Sequence, residues 1–374
     1  MVDLNTQYLN IKTELNTAVQ NVFDETAFIN GPQVDKFAFE LSDYTGSKFI
    51  IPCANGTDAL QISMMALGFK PGDEIIVPAF TYIATVEVIS LLGLIPVFID
   101  VNEFTFNLNT DELESKITSK TVGIVTVHLY GQCSNMEEIL KISKTHDLKV
   151  IEDTAQAIGA IYTFLDGTKK QAGTMGDIGT TSFFPSKNLG CYGDGGAIFT
   201  NDASLAHKIK MIANHGQSVK YFHDTIGVNS RLDTLQAAIL SVKLRYLDKY
   251  TKSRNEVAEK YDNAFKNNSS IIIPKRNINS THVFHQYTII LKQDIDRQEF
   301  KNYLSKCGIP TMVYYPLPLH LQKAYLSYGG KEGQFPVSEK LCKTVLSLPI
   351  HTEMKNTEQD YIIEKISEYF NKTN

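Results

Sequence analysis

No C-x-x-C pair occurs in the 374 residues, and the five cysteines, Cys53, Cys133, Cys191, Cys307 and Cys342, are scattered and odd in number. A disulfide framework and a zinc site are therefore not expected, no metal site of any kind is anticipated, and a reducing cytoplasm fits the chain best. Long hydrophobic runs are missing too. The most apolar stretch, VISLLGLIPVFI from Val88 to Ile99, is broken by Ser90, Gly93 and Pro96 and falls well short of the ~20 residues of a membrane span. The opening residues MVDLNTQYLN have neither the basic segment nor the apolar core of a secretory leader, so none is expected. Basic charge is not in excess: 36 Lys and Arg stand against 41 Asp and Glu. That balance argues against a nucleic-acid partner, whose footprint is a basic stripe. Internal repeats and low-complexity segments are also absent.

What is present is a regular alternation. At 374 residues the chain exceeds the roughly 100–200 of a single domain, so two domains are expected. Glu74–Phe80, Ile95–Val101, Thr121–Leu129, Lys149–Asp153, Gly179–Phe184 and Gly196–Asp202 read as strands. Helix patterns lie between several of them, at Thr57–Leu67, Ala84–Leu92, Thr110–Ile117 and Asn135–His146, the last with Asn135 as its cap. Strands alternating with helices imply crossover units and a largely parallel, buried sheet. After Asn229 a stretch of 36 residues from Arg231 to Lys266 has no glycine or proline and reads as long helix, broken at most once. Beyond it, two strand-like and two helix-like segments suggest a smaller α+β unit. The expected division is residues 1–240 and 241–374.

Three constellations carry chemistry. In CANGTDALQISMMAL, Asn55-Gly56-Thr57 follows an extended segment and opens a helix, where free N–H groups suit a phosphate. The helix dipole supplies only ~0.3–1 kcal/mol in exposed settings, so hydroxyls such as that of Thr57 must assist. The competing reading is an ordinary turn capped by Thr57 or Asp58. In VIEDTAQAIGA, Asp153 ends a strand, where ligands of open α/β sheets bind. A buried carboxylate there can hold a partner nitrogen protonated, unless it merely caps a helix. In SFFPSKNLGCYGDGGAIFT, Lys187 sits in a turn ahead of a glycine cluster. This is not a Walker A loop, because no glycine is followed by Lys-Ser or Lys-Thr. Most lysines are solvated, but a lysine amine can also form a Schiff base. Pyridoxal phosphate needs all three groups: a phosphate cup, an anionic partner for its ring nitrogen, and an amine.

The motifs DLNTQY, FINGPQVDKFAFEL, NGTDAL, PGDEIIVPAFTYIAT, IEDTAQAIGA, SFFPSKNLG, GDGGAIFTND, GVNSRLDTLQAAIL and YYPLPLHLQ occur in this order nearly end to end. With them the chain resembles the DegT/DnrJ/EryC1/StrS family of pyridoxal-phosphate-dependent nucleotide-sugar aminotransferases. The resemblance implies α/β architecture: an aspartate-aminotransferase-like (fold type I) large domain with a mostly parallel sheet, plus a smaller α+β C-terminal domain. It makes Lys187 the Schiff-base lysine and proton shuttle, Asp153 the partner of the pyridine nitrogen, and Gln156 the neighbour of the phenolic oxygen. Gly56, Thr57 and Ser182 match the phosphate cup, and Tyr82 the ring stacked on the cofactor. Asn229 is similar to the asparagine that reaches this phosphate from a neighbouring subunit, which implies a homodimer with shared sites. The glycines after Lys187 are expected to keep the floor and entrance of the site open.

The implied chemistry moves an amino group from L-glutamate to a nucleotide-linked keto sugar, as in assembly of bacterial surface polysaccharide, O-antigen, lipopolysaccharide or lipid A. The text around NHGQSVKYFHDTIGVNSRLD is similar to enzymes acting at the sugar C3, and LYGQC to those taking UDP-linked 2-acetamido-3-keto sugars, the glucuronate included. Relative to the uronate enzyme, Tyr314 stands in place of a histidine and His320 is added. A neutral sugar or a dTDP-3-keto-6-deoxyhexose gains from that. Arg231, Tyr314 and His320 are the candidate substrate groups; the competing readings are a structural ion pair for Arg231 and packing for His320. Some relatives are dehydratases with histidine in place of the lysine, which PSKN does not match. Others were proposed as regulators, which leaves a non-catalytic sensing or binding module as the alternative of another class.

Overall fold

The computed structural model describes residues 1–373. The short apolar runs form β1 (Phe49–Cys53), β2 (Glu74–Pro78), β3 (Ile95–Ile99), β4 (Thr121–Val127) and β5 (Lys149–Asp153). A small ribbon, β6 (Ile161–Thr163) with β7 (Lys169–Gln171), precedes β8 (Ile178–Ser182) and β9 (Gly196–Thr200). Seven of these make one sheet in the order β1-β9-β8-β5-β4-β2-β3. The five from β8 to β3 are parallel to their neighbours, while β9 runs antiparallel to both β8 and β1. Gly123 to Val127 of β4 are all buried, as a strand covered on both faces requires.

Helices α1 (Leu4–Glu25) and α2 (Pro32–Thr45) precede the sheet; α3 (Gly56–Leu67), α4 (Ala84–Leu91), α5 (Met136–Thr145) and α6 (Ala203–Ala213) follow β1, β2, β4 and β9. The helix expected over 110–117 is instead two 3₁₀ turns, Thr110–Glu112 and Glu114–Lys116. Leu113 alone in this segment is fully buried, too small an anchor to hold a helix whose nucleation is unfavourable. Asn135 does occupy the cap position of α5, but its Oδ1 accepts the Tyr162 hydroxyl at 3.2 Å instead of capping the helix.

A hairpin of β10 (Gln217–Val219) and β11 (Phe222–His223) leaves Val219, Tyr221 and Phe222 exposed. The glycine-free stretch forms α7 (Thr234–Leu244) and α8 (Leu247–Phe265), broken once. Beyond it, β12 (Ile271–Ile272), β13 (Tyr287–Leu291), α9 (Arg297–Lys306), α10 (Pro336–Thr344), β14 (Val345–Leu348) and α11 (Asn356–Thr373) complete the chain. The antiparallel sheet β12-β13-β14 packs with α8, α9 and α11 around Phe265, Phe300 and Phe370. A division at 240/241 does not follow the packing throughout. Leu319, Tyr325 and Phe335 join the cluster of Leu60, Met64 and Val77. Asp100, at the end of β3, accepts the N–H groups of Val337 (2.9 Å) and Ser338 (2.8 Å) at the start of α10. Among the described residues no helix is long and apolar enough to cross a membrane, and no cluster of His, Cys, Asp or Glu could hold a metal ion.

Candidate active site

The carboxyl ends of β4, β5 and β8 and the start of α3 converge on a cavity of about 640 Å³. Such a crevice is where open α/β sheets bind ligands. Lys187, Asp153, Gln156, Gly56, Thr57, Ser182, Tyr82 and Tyr314 all line it, although they are spread over most of the chain.

The phosphate-ready corner is built by close packing. Asn55 is the true cap of α3, its Oδ1 accepting the Asp58 N–H at 2.8 Å, so neither Thr57 nor Asp58 is needed for that role. A Cβ on Gly56 would lie 2.8 Å from the Ser182 Cβ, so only glycine lets α3 begin against the end of β8. Nearby, Thr81 Oγ1 is buried without a hydrogen-bond partner. An orphaned hydroxyl in a cavity wall is a group arranged for something that the protein itself does not provide.

Asp153 is 7% exposed and doubly anchored. Its Oδ1 accepts the Ala155 N–H at 3.1 Å and its Oδ2 the Thr85 hydroxyl at 3.0 Å. Each oxygen retains a lone pair for a further donor. Lys187 lies in a loop closed on itself by Lys187 N–H to Phe184 C=O and Cys191 N–H to Phe183 C=O, both 2.8 Å. Burial lowers the Lys187 ammonium from 10.5 to about 8, against the opposing pull of the Asp153 charge. A half-buried amine with a depressed pKa meets the condition for nucleophilic use of lysine.

Gln156 has its Oε1 on the Tyr130 N–H (2.8 Å) and its Nε2 on the Tyr315 hydroxyl (3.2 Å). Tyr82, 56% exposed, presents its ring 6.2 Å from that of Tyr315. On the far wall His285 is held well below the ordinary histidine range by burial first, then by the charges of Lys187 and Arg254. It is therefore neutral, with Nδ1 3.3 Å from Asn188 Oδ1.

Three expected residues lie elsewhere. His320 is fully buried, 3.2 Å from Glu339 Oε1, and its ring packs on Phe98 and Phe335, so its reading as a substrate group is corrected to a packing role. Arg231 and Asn229 do not line the cavity of their own chain; Asn229 is exposed, beside the hairpin, and bridges Asn214. The glycine cluster also differs from expectation. A Cβ on Gly196 would meet the Asn55 carbonyl at 2.5 Å, and one on Gly195 would meet Leu232 at 3.0 Å. Gly196 serves close packing of β9 against the α3 start, and Gly195 close packing against Leu232, Cys191 and Phe183, not an open entrance. Sequence reasoning missed Thr85, Thr81, Tyr315 and His285. Thr85 and Tyr315 sit inside quoted motifs, FTYIAT and YYPLPLHLQ, but nothing local distinguishes them from core residues.

The donor set fits pyridoxal phosphate: a glycine-floored helix start with hydroxyls, an anchored buried carboxylate, and a half-buried amine around one cavity. When bound, that cofactor supplies an electron sink for carbanion chemistry. Fold and site together define a fold type I, pyridoxal-phosphate-dependent aminotransferase. The chain belongs to the DegT/DnrJ/EryC1/StrS aminotransferase family, whose model matches residues 9–367; it is a nucleotide-sugar aminotransferase.

It is 46% identical to the pleiotropic regulatory protein of Geobacillus stearothermophilus, over 99% of this chain and 98% of that one. It is 44% identical to the UDP-2-acetamido-2-deoxy-3-oxo-D-glucuronate aminotransferase of Pseudomonas aeruginosa, over 94% of each. Identity is 42% with the dTDP-3-amino-3,6-dideoxy-alpha-D-galactopyranose transaminase of Aneurinibacillus thermoaerophilus, over 98% of each. Among solved structures, S. venezuelae DesV in complex with a ketimine intermediate superposes with a TM-score of 0.94 at 35% identity, covering 99% of this chain and 97% of that one.

Proposed function

We propose that the protein transfers the amino group of L-glutamate to C3 of a UDP-linked 2-acetamido-3-keto hexose, in the neutral, non-uronate form. The convergence of Lys187 and Asp153 on one cavity carries the transamination. Lys187, its amine lowered to about 8, would hold the cofactor and carry the proton at the substrate carbon. Asp153, fixed by Thr85 and Ala155, keeps the ring nitrogen protonated. The helix start at Gly56 with Thr57 and Ser182 takes the phosphate, and Tyr82 covers the ring.

The relative acting on a UDP-3-oxo sugar supports the UDP reading, and the dTDP-sugar relative, almost as similar, is the competitor. The charged side chains lining the cavity are Asp58, Asp153, Asp194 and Lys187. Three carboxylates against one amine disfavour a further carboxylate on the sugar at C6. Cations for the diphosphate then come from a second chain in a homodimer, with Arg231 as the candidate and Asn229 beside it for the cofactor phosphate. The product would enter surface polysaccharide or lipopolysaccharide assembly in the cytoplasm.

The test runs the reaction in reverse from stable amino sugars. UDP-2,3-diamino-hexose, its uronate and a dTDP-3-amino-6-deoxyhexose are each incubated with the holoenzyme and 2-oxoglutarate, and glutamate is measured. The neutral UDP sugar should give the highest kcat/KM. Preference for the dTDP sugar or the uronate overturns the substrate assignment, and no turnover with any of them favours a sensing module.

A further inference from the structure

A closed circuit of contacts runs behind the cavity. Tyr130 donates its N–H to Gln156 Oε1 at 2.8 Å, and its hydroxyl is bonded to the Tyr314 carbonyl. Tyr314 leads directly into Tyr315, whose hydroxyl lies 3.2 Å from Gln156 Nε2. The circuit thus joins the turn after β4, the turn after β5 and the segment between α9 and α10, with one bond spanning 184 positions. Tyr130 adopts φ 59°, a left-handed conformation unusual for a bulky residue, and it is held there with both its N–H and its hydroxyl engaged. Backbone held in this way collects at functional sites.

A glutamine amide has two orientations of nearly equal shape, and only its hydrogen-bond partners decide between them. A backbone N–H can only donate, so Tyr130 forces Oε1 toward itself. Nε2 must then face Tyr315, whose oxygen accepts one of its two N–H bonds. The other N–H is left for the cavity. Burial keeps the Tyr315 phenol protonated, and the Asp153 charge adds to that effect. The hydroxyl therefore accepts from Gln156 while its own proton remains available. The Phe80 ring, edge-on at 6.0 Å, buttresses Tyr315 from behind.

We propose that Tyr315 is a positioning residue for the transamination: its hydroxyl locks the Gln156 carboxamide so that the free N–H faces the phenolic oxygen of the cofactor. The inference rests on the cofactor reading above. Tyr315→Phe removes one oxygen and leaves the ring packed. Its effect is read in three ways: the pH midpoint of the visible absorbance of the bound cofactor, kcat against KM, and a double-mutant cycle with Gln156→Ala.

Tyr315→Phe should lower kcat by about 2–10-fold, the range of one lost hydrogen bond between neutral groups, with KM for the nucleotide sugar changed less than about threefold. The absorbance midpoint should move in the same direction as in Gln156→Ala, and the double variant should be no worse than Gln156→Ala alone. A melting temperature near that of the wild type separates this from unfolding. Tyr130→Phe, which frees the Tyr314 carbonyl but keeps the N–H to Gln156, should show the same signature more weakly. An unmoved midpoint in both tyrosine variants, or strictly additive losses in the cycle, overturns the role of Tyr315. Wild-type protein that takes up no cofactor overturns instead the reading beneath it.

Discussion

Lys187 and Asp153 show how one residue type becomes a reagent through its surroundings. At pH 7 an amine of pKa about 8 is about one-tenth neutral, roughly 300-fold more than one at 10.5. The sign follows from the cause. Burial destabilises the ammonium, so the neutral form gains, and uptake of the cofactor by the apoprotein should accelerate about tenfold per pH unit up to about pH 8 and level off above it. Stopped-flow absorbance between pH 6 and 10 checks this; a rise that continues to pH 10 contradicts a lowered pKa. Lys187→Ala should abolish turnover and stable cofactor retention, read by assay and by absorbance after gel filtration. Both residues were legible in the sequence because each is an uncommon residue type for its place, a lysine in a glycine-bounded turn and an acid at a strand end. Thr85 was not, because its bond to Asp153 spans 68 positions and its own segment reads as an ordinary helix start.

At the scale of elements, the active site depends on how tightly β8, β9 and the start of α3 approach. Gly56 and Gly196 are required by neighbours, not by dihedral angles: their added Cβ atoms would meet Ser182 and the Asn55 backbone. Gly196→Ala presses on backbone, which cannot swing aside, so it should destabilise the fold by about 1–3 kcal/mol. It should also weaken cofactor binding by displacing α3, both measured by denaturant titration with and without cofactor. Unchanged stability would mean that β9 can shift freely there. The alternation of strands and helices was readable, since near-continuous apolar runs bounded by polar turns mark a parallel sheet. The helix expected at 110–117 does not form, because Leu113 alone anchors it, and Asn135 caps α5 by position without a side-chain bond to it, because Tyr162 claims its Oδ1.

For the whole molecule, the exposed hairpin and Asn229 lie outside the cavity of their own chain. Under the proposed shared site, Asn229→Ala should weaken cofactor retention by about tenfold, the loss of one phosphate hydrogen bond. Mixing it with Lys187→Ala after reversible dissociation should restore activity, because a hybrid dimer holds one site with both residues intact. Random pairing of the two variants sets a ceiling of about a quarter of wild-type activity. No recovery, with heterodimers shown to form by native mass spectrometry, contradicts sites built across two chains.

By itself the sequence determined the class of fold and the cofactor, and it singled out Lys187 as the candidate amine. Those are written in local patterns: periodicity of apolar residues, glycine where backbones touch, and reactive side chains at strand ends. Only the tertiary structure decided which groups meet. It moved His320 from the substrate list into the core, gave Asp153 its second anchor in Thr85, and closed Tyr130, Gln156 and Tyr315 into one circuit. Such contacts join residues far apart in the chain, and their energies depend on burial and orientation, which no short stretch of sequence encodes.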